Sequence, residues 1–186
     1  MYRILYNIPF GALCLWLLVF CAGWAWARKR LQAQKVWKWC HFGVLLLWLA
    51  AVLYITLGER NPGGGAVNLT PLWSYRIAFF EGSFDYFQQI YLNVLAFFFF
   101  GLFAPEVLKG KWRFVPVVLL GIAISAGVEF MQFRLDLGLA EFDDVLSNAL
   151  GTLFGVLTNR YVSRLIQVMK IWIRNLSRYL HRHTTE

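Results

Sequence analysis

Long apolar runs separated by short polar connections dominate the sequence. Five runs hold few or no charged residues, and they cover residues 4–27, 40–57, 90–105, 114–133 and 145–161. A helix of about 20 apolar residues crosses the hydrocarbon core of a bilayer. The pattern therefore predicts an all-α integral membrane protein with a bundle of about five transmembrane helices.

Two further segments predict elements at the membrane surface. Residues 72–80 (LWSYRIAFF) are short, aromatic and interrupted by Arg76, which favours a segment at the interface over one that spans. After residue 161, basic and apolar residues recur on opposite sides of a predicted helix, as in basic amphipathic helices at the inner leaflet. We therefore divide the chain into two N-terminal transmembrane helices with a basic loop (1–57), a core made of an extracytoplasmic loop and three transmembrane helices (58–161), and an interfacial tail (162–186).

The charged residues predict an orientation for the bundle, because Lys and Arg are retained in cytoplasmic loops. The numbers of basic and acidic residues alternate along the chain: five and none in 28–38, two and three in 59–89, three and one in 105–113, one and four in 134–144, and six and one from residue 160. A topology with the N-terminus outside and the C-terminus inside puts every basic loop in the cytoplasm. The net charge of +8 is thus placed for contact with anionic membrane lipids and not with nucleic acid.

The sequence predicts neither a metal site nor a disulfide framework. Cys14, Cys21 and Cys40 lie in or beside apolar runs and form no CxxC pair, so we expect them to be small buried hydrophobic residues. The predicted outer side contains no histidine, and hydrolysis by a Ser-His-Asp triad is therefore not expected.

Polar side chains inside two apolar runs form the candidate functional site. Glu129 interrupts the fourth run, where an ionisable side chain costs roughly 3 kcal/mol on insertion scales. Gln132 follows it on the same helical face, while Asp143, Asp144 and Asn148 open the fifth run. Small residues extend both faces, and they are Gly121, Ser125, Gly151 and Gly155. Because small residues let two helix backbones approach closely, the simplest packing joins these faces and gathers the polar side chains.

Further polar residues fall at the same predicted depth, whereas the cytoplasmic halves of the runs are nearly devoid of them. The candidate cluster consists of Glu129, Gln132, Asp143, Asp144, Asn148, Asn93, Arg60 and Arg134. Three interpretations stay open: hydrogen bonds that hold helices together, carboxylates that do acid–base chemistry or hold a divalent cation, and a pocket for a polar headgroup or an antibiotic. We expect no other cofactor.

The same residues carry a resemblance to the VanZ-like membrane proteins. The segments YLNVLAFFFFGLFAPEVL, GVEFMQ and EFDDVLSNALGTLFG are similar to the family's pattern of an Asn-led span, then E-x-x-Q, then D-D-x-x-x-N-x-x-G-x-x-x-G. NLTPLWSY at 68–75 is similar to the family's segment after the second span, so the resemblance covers about residues 58–157. The family often has an arginine after the glycine that precedes the acidic pair, whereas here Leu139 follows Gly138. Arg134 or Arg60 is the alternative source of that charge.

The resemblance implies a role at the bacterial cell envelope. The namesake of the family lowers susceptibility to the glycopeptide teicoplanin without remodelling its peptidoglycan target. By this likeness we expect a multi-pass protein of the cytoplasmic membrane whose outer pocket binds a lipid-linked envelope precursor, a glycopeptide or another lipophilic ligand. The alternatives are a membrane enzyme that uses Glu129, Asp143 and Asp144 on such a substrate, and a structural scaffold without a ligand.

Overall fold

The computed structural model describes residues 10–31, 35–58, 65–108 and 113–183, with the side chains of 10–18, 176 and 178–183 left out. This part of the chain is mostly helical. The helices are α1 (Phe10–Leu31), α2 (Lys35–Leu53, continued by one turn of π-helix at Tyr54–Gly58), α3 (Trp73–Phe79), α4 (Phe84–Val107), α5 (Phe114–Arg134) and α6 (Phe142–His183). Two short strands are β1 (Ala66–Asn68) and β2 (Leu139–Glu141).

Three helices of the described residues are long and apolar enough to cross a membrane: Lys35–Gly58, Phe84–Val107 and Phe114–Arg134. They correspond to the second, third and fourth predicted runs, and the helical membrane-protein fold is confirmed to that extent. The first predicted run coincides with α1 from Phe10 onward, and residues 4–9 lie outside the described residues. The fifth predicted run lies within α6, which is less apolar because it carries Asn148 and Asn159 on faces buried against other helices.

The chain forms two compact units, residues 1–39 and 40–186. In the first unit, α1 ends in Arg28, Lys29 and Arg30. The guanidinium of Arg28 lies 5.1 Å from the centre of the Trp24 ring, and that of Arg30 lies 5.3 Å from the Trp26 ring. These cation–π contacts fold the basic side chains back along the end of the helix. The candidate residues all belong to the second unit.

Helices α4 and α6 run parallel and touch backbone to backbone. A Cβ atom built on Gly151 would collide with the carbonyl oxygen of Val94, and one on Gly155 would collide with that of Phe98. In return, Gly101 of α4 lies directly against the carbonyl of Thr152. The expectation that Gly151 and Gly155 face the small residues of α5 is therefore wrong: the GTLFG segment packs on α4, since Gly101 gives that helix a small-residue position of its own.

Helix α5 crosses α6 in the opposite direction and uses the other side of it. Gly121 lies against Thr152, whose Oγ1 would be 2.5 Å from an added Cβ atom, and Ser125 pairs with Asn148 one turn away. A core of Phe100, Ala104, Val117 and Val156 fills the junction, with Trp48 of α2 packed on it. Trp48 also donates from Nε1 to the carbonyl of Ala96 over 2.7 Å, which ties α2 to α4.

The connection that follows α2 pairs with the connection that follows α5. Strands β1 and β2 are parallel, with Asn68 opposite Glu141. The prediction of a purely α-helical chain missed this sheet. Backbone groups near a bilayer must find partners within the protein, and a short strand pair supplies some of them in these two connections. We call this end of the bundle, with α3, β1 and β2, the loop end. The opposite end, around Leu102 and Asn159, is the tail end.

Helix α6 is 42 residues long and continues without interruption past the bundle. The predicted boundary between the core and the interfacial tail, at residues 161 and 162, falls inside it. Four Ser and Thr hydroxyls of this helix each donate to the carbonyl four residues earlier, and they belong to Ser147, Thr152, Thr158 and Ser163. Such bonds satisfy polar hydroxyls within the helix and bend it slightly.

Candidate functional site

Asp143 lies at the start of α6 and anchors the connection that contains α3. Its side chain is 2% exposed. Oδ1 accepts from the backbone N–H of Leu72 over 2.7 Å, and Oδ2 accepts from that of Ser74 over 2.8 Å. Leu72 is in the left-handed region (φ 61°) and precedes the first turn of α3. Asp143 thus supplies the N-terminal cap that α3 lacks in its own sequence, and both of its oxygens are used for it.

Gln89 of α4 bridges two further carboxylates. Its Nε2 donates to Oε2 of Glu141 over 2.6 Å and to Oδ1 of Asp144 over 2.9 Å. Glu141 and Asp144 are both buried, and the hydroxyl of Ser74 lies 3.5 Å from the second oxygen of Glu141. One amide group therefore holds the ends of β2 and α6 against α4.

Glu129, the residue that interrupts the fourth apolar run, is buried one turn before the end of α5. Its Oε2 accepts from the backbone N–H of Glu141 over 3.0 Å. Three consecutive elements, α5, β2 and α6, are joined in this way through carboxylates that lie within the protein and not in lipid. Glu129 is therefore buried against the polar loop end, which explains why an ionisable side chain is tolerated in this apolar run.

Gln132 binds the π-helical turn of α2. Its Nε2 donates to the carbonyl of Thr56 over 3.2 Å, and its own backbone carbonyl accepts from the N–H of Leu137. The side chain is only 1% exposed, and its Oε1 atom is buried without a hydrogen bond. π-helical turns within longer helices are frequent at functional sites.

Asn148 and Asn93 form a second polar level, one turn below the bond between Gln89 and Asp144. Asn148 is 6% exposed and donates from Nδ2 to Oγ of Ser125 over 2.8 Å, while its Oδ1 is buried without a partner. Asn93 of α4 has a buried Nδ2 that also lacks one. Because Asn93 follows Gln89, and Asn148 follows Asp144, by four residues on parallel helices, the two amides lie at the same depth. A buried N–H donor and a buried C=O acceptor thus lie on adjacent helices without bonding each other.

Tyr75 of α3 contacts the first turns of α6 through its hydroxyl group. Its hydroxyl lies 2.8 Å from Oγ of Ser147, which in turn donates to the backbone carbonyl of Asp143. Since the Ser147 proton is used in that bond, Tyr75 is the donor. Burial raises the pKa of the Tyr75 phenol, and the charges of Asp143 and Asp144 raise it further.

The two predicted arginines are not part of this arrangement as described. Arg134 is exposed at the last turn of α5 and forms no ion pair with any described residue. Arg60 lies outside the described residues. In the described ranges, no group of three or more His, Cys, Asp and Glu side chains is placed to hold a metal ion. The divalent cation left open by the sequence therefore finds no ligand set there.

Sequence reasoning missed three residues of the loop end: Glu141, Gln89 and Tyr75. Glu141 and Gln89 stand in connections flanking apolar runs, where a polar residue is expected to be solvated. Gln89 precedes Asn93 by one helical turn, and this spacing on one face was the signal that could have found it. Tyr75 had no comparable signal, because its role depends on the cap that Asp143 gives to α3.

Polar residues are also buried at the tail end, contrary to the expectation that the cytoplasmic halves lack them. Asn159 donates from Nδ2 to the carbonyl of Leu102 and to Oε1 of Glu106, both over 2.8 Å. All side-chain atoms of Asn159 are inaccessible, and Glu106 is buried. Both residues stand at the margins of apolar runs, and the close approach of α4 and α6 encloses them.

The family model described as VanZ/LLP1 matches residues 10–163. The chain belongs to the VanZ/LLP1 family. The match includes both ends of the bundle and stops within α6. Most of the projecting part of α6 therefore lies outside the matched residues. The resemblance inferred from the sequence motifs is thereby confirmed. Comparisons with curated proteins and with solved structures gave no match.

Proposed function

We propose that this VanZ/LLP1 protein crosses the bacterial cytoplasmic membrane five times, with its N-terminus outside and its C-terminus inside. Helix α6 lies alongside α4 and α5 from Asp144 to Asn159, so it shares their depth in the bilayer. Because α4 and α6 run parallel and α5 runs against them, both basic segments (105–113 and the chain after 160) are on one side. The density of Lys and Arg assigns that side to the cytoplasm.

In this orientation the loop end faces outward and forms a polar pocket for a ligand of the cell envelope. The observation that carries the proposal is a set of buried polar atoms that have no hydrogen-bond partner among the described residues: Nδ2 of Asn93, Oδ1 of Asn148 and Oε1 of Gln132. Leaving such an atom unsatisfied costs about 1–3 kcal/mol. A ligand with hydroxyl or amide groups has the chemistry to bond such donors and acceptors. The exposed apolar side chains around α3, such as Leu72 and Phe79, suit the apolar part of a lipid-linked or lipophilic molecule.

By family resemblance, the cellular consequence of this binding is lower susceptibility to glycopeptides such as teicoplanin. A lipid-linked precursor held at the outer surface would be shielded from an antibiotic that recognises it, whereas direct capture of the glycopeptide would remove the antibiotic itself. The two routes require the same pocket.

The enzyme alternative is less well supported by the geometry. Paired carboxylates that exchange protons need at least one oxygen free to reach the substrate. Asp143 uses both oxygens to accept backbone N–H groups from the α3 connection. It therefore acts as a structural anchor in this arrangement, which removes one member of the proposed catalytic pair.

The test compares teicoplanin susceptibility of cells that express the wild type, Glu129→Gln, Asp144→Asn or Gln132→Ala, with immunoblots of the membrane fraction beside each assay. Glu129→Gln keeps the shape and an acceptor for the N–H of Glu141 while it removes the charge. We expect the three variants to accumulate normally and to lose the protection. The matched control is Gly127→Ala on α5, since an added Cβ there meets no atom within 4 Å.

Full protection in Glu129→Gln and Asp144→Asn at normal expression would contradict the pocket and leave both carboxylates as packing groups. Loss of the protein from the membrane in these variants, with Gly127→Ala normal, would assign them to stability instead.

A further inference from the structure

Helix α6 is partly buried as far as Ile166 and exposed beyond it. From residue 167 to residue 175 every side chain is exposed. The helix continues to His183, so 24 residues follow Asn159, the last contact with α4 described above. At 1.5 Å per residue this part is about 36 Å long. We call residues 164–183 the tail segment.

The exposed surface of the tail segment is divided into two faces. Val168 and Met169 lie three and four residues after Leu165, and Trp172 lies four and three residues after them; each of the four is more than 40% exposed. This spacing places them in one stripe along the helix. The opposite face carries Arg164, Lys170 and Arg174, and Ile171 is its apolar exception.

We infer that the tail segment lies on the membrane surface and binds anionic lipid headgroups. The inference is independent of the ligand pocket at the loop end. A stripe of four large apolar side chains is not stable in water, and basic residues within one turn of it exclude burial in hydrocarbon. The interface between headgroups and acyl chains meets both requirements, and Trp172 is of the residue type that favours this depth.

Charge complementarity selects anionic lipid over other occupants. No Asp or Glu occurs between Asp144 and Glu186, while six basic residues do. A second copy of so basic a helix would be repelled, and a nucleic acid would leave the apolar stripe exposed. The segment is also tethered to a bundle that spans the membrane, so the lipid surface is always within reach.

A bend in α6 is required to bring the segment onto the surface, and the helix contains a place for it. Thr158 and Ser163 donate to the carbonyls of Phe154 and Asn159, over 2.9 and 2.6 Å. Hydroxyls bonded to the preceding turn favour bending of a helix. Ser163 lies between Asn159 and the apolar stripe, and Thr158 directly precedes Asn159.

The experiment measures the depth of spin labels in the full-length protein reconstituted into nanodiscs. Cys14, Cys21 and Cys40 are replaced by Ser, and one new cysteine carries a nitroxide at Met169 on the apolar stripe or at Gln167 on the polar face. The discs contain phosphatidylcholine alone or phosphatidylcholine with phosphatidylglycerol. With phosphatidylglycerol we expect the Met169 label to collide with oxygen and to be shielded from a water-soluble nickel complex, while the Gln167 label shows the reverse.

Removal of charge should reverse this result. Each basic residue near an anionic surface contributes about fivefold to binding, so the triple change Arg164→Gln, Lys170→Gln and Arg174→Gln lowers it about a hundredfold. We expect the Met169 label of that variant to become accessible to the nickel complex. Gln167→Ala, which removes no charge, is the control and should leave the label at its original depth.

A second measurement uses the unmodified protein, in case the cysteine-free chain does not fold. Trypsin cleavage after Arg164, Lys170 and Arg174 should be slower in discs that contain phosphatidylglycerol. Equal accessibility of both labels to the nickel complex in both lipids, with equal cleavage rates, would overturn the inference. Dipolar coupling between labels of two copies would assign the stripe to a dimer contact instead.

Discussion

The two ends of the α4–α6 pair bury similar side chains in different ways. At the tail end, the amide of Asn159 donates both to a backbone carbonyl and to the carboxylate of Glu106, and the contact joins two helices. At the loop end, four carboxylates and three amides connect α2, α3, α4, α5, β2 and α6. Three amide atoms there have no hydrogen bond to any described residue. The tail end resembles ordinary interhelical bonding.

The stability of the bundle does not require as many buried polar groups as the loop end contains. Interhelical hydrogen bonds in membranes contribute roughly 0.6 kcal/mol each on average. At the tail end, one amide and one carboxylate are enough to form such bonds. The loop end buries many more polar groups and still leaves Asn93, Asn148 and Gln132 partly unsatisfied. A chain selected only for packing would place apolar side chains there, so the excess of polar groups favours binding.

The largest effect is expected where both ends depend on the same contact. Gly155→Val places two methyl groups against the backbone carbonyl of Phe98, which cannot move without separating α4 from α6. Overpacking typically costs about 1–3 kcal/mol and more where backbone is the obstacle. We expect loss of folded protein at both ends, measured by the thermal midpoint in detergent and by accumulation in membranes. Gly127→Val is the matched control, because a Cβ atom added at Gly127 meets no atom within 4 Å. Equal loss in both variants would contradict the close packing.

The second prediction separates the ends from each other. Asn159→Leu removes the donor to Glu106 and to the Leu102 carbonyl, and an unsatisfied buried group costs about 1–3 kcal/mol. We expect a lower thermal midpoint but full protection against teicoplanin in cells that still accumulate the protein. Glu129→Gln at the loop end should show the opposite combination. If Asn159→Leu abolished protection at normal expression, the tail end would also have a functional role.

The sequence predicts the helices well and their neighbours poorly, for a physical reason. Apolar runs locate α2, α4 and α5 because lipid excludes charged side chains on every exposed face. The partner of a small-residue face is not specified in the same way: Gly151 and Gly155 could fit any helix with a small residue, and Gly101 of α4 offers one. Intersegment contacts depend on which of several similar faces fits best.

The candidate cluster illustrates the same limit at the level of single side chains. Of the motif residues, Glu129 and Asp144 are linked through Glu141 and Gln89, whereas Gln132 binds Thr56 and Asn148 binds Ser125. These roles are not contained in the motif. Asp143 caps α3, a helix whose own start offers no side-chain cap, and this role follows only from the three-dimensional path of the connection. Glu141 contributes its backbone N–H, which donates to Glu129, as well as its side chain, which accepts from Gln89. A backbone contribution of this kind cannot be predicted from a pattern of residue types.

A smaller effect, dependent on pH, is expected for the hydroxyl that joins α3 to α6. Tyr75→Phe removes the bond to Ser147, worth about 1 kcal/mol. Because the pKa of Tyr75 is raised above its usual 10.0 in the folded protein, its contribution is complete below pH 10 and is lost as the pH rises through the folded value. The thermal midpoint of the wild type should therefore fall more steeply above pH 10 than that of Tyr75→Phe. Parallel pH curves for the two proteins would show that Tyr75 is not linked to folding.

The smallest change in stability, and the sharpest division between the two ends, is expected at Asn93. Its buried Nδ2 has no hydrogen bond, so replacement by leucine, which has a similar size, removes an unsatisfied donor and breaks no described bond. Exchanging a buried polar group for an apolar one of the same shape is nearly neutral or stabilising, and we expect the thermal midpoint of Asn93→Leu to be unchanged or higher. The same substitution removes a group that the proposed ligand would use, so teicoplanin protection should be lost. Asn159→Leu, the same exchange at the tail end, should lower the midpoint and keep protection. A stable Asn93→Leu protein with full protection would place Asn93 outside the pocket, and a strongly destabilised one would mean that its amide is already satisfied within the fold.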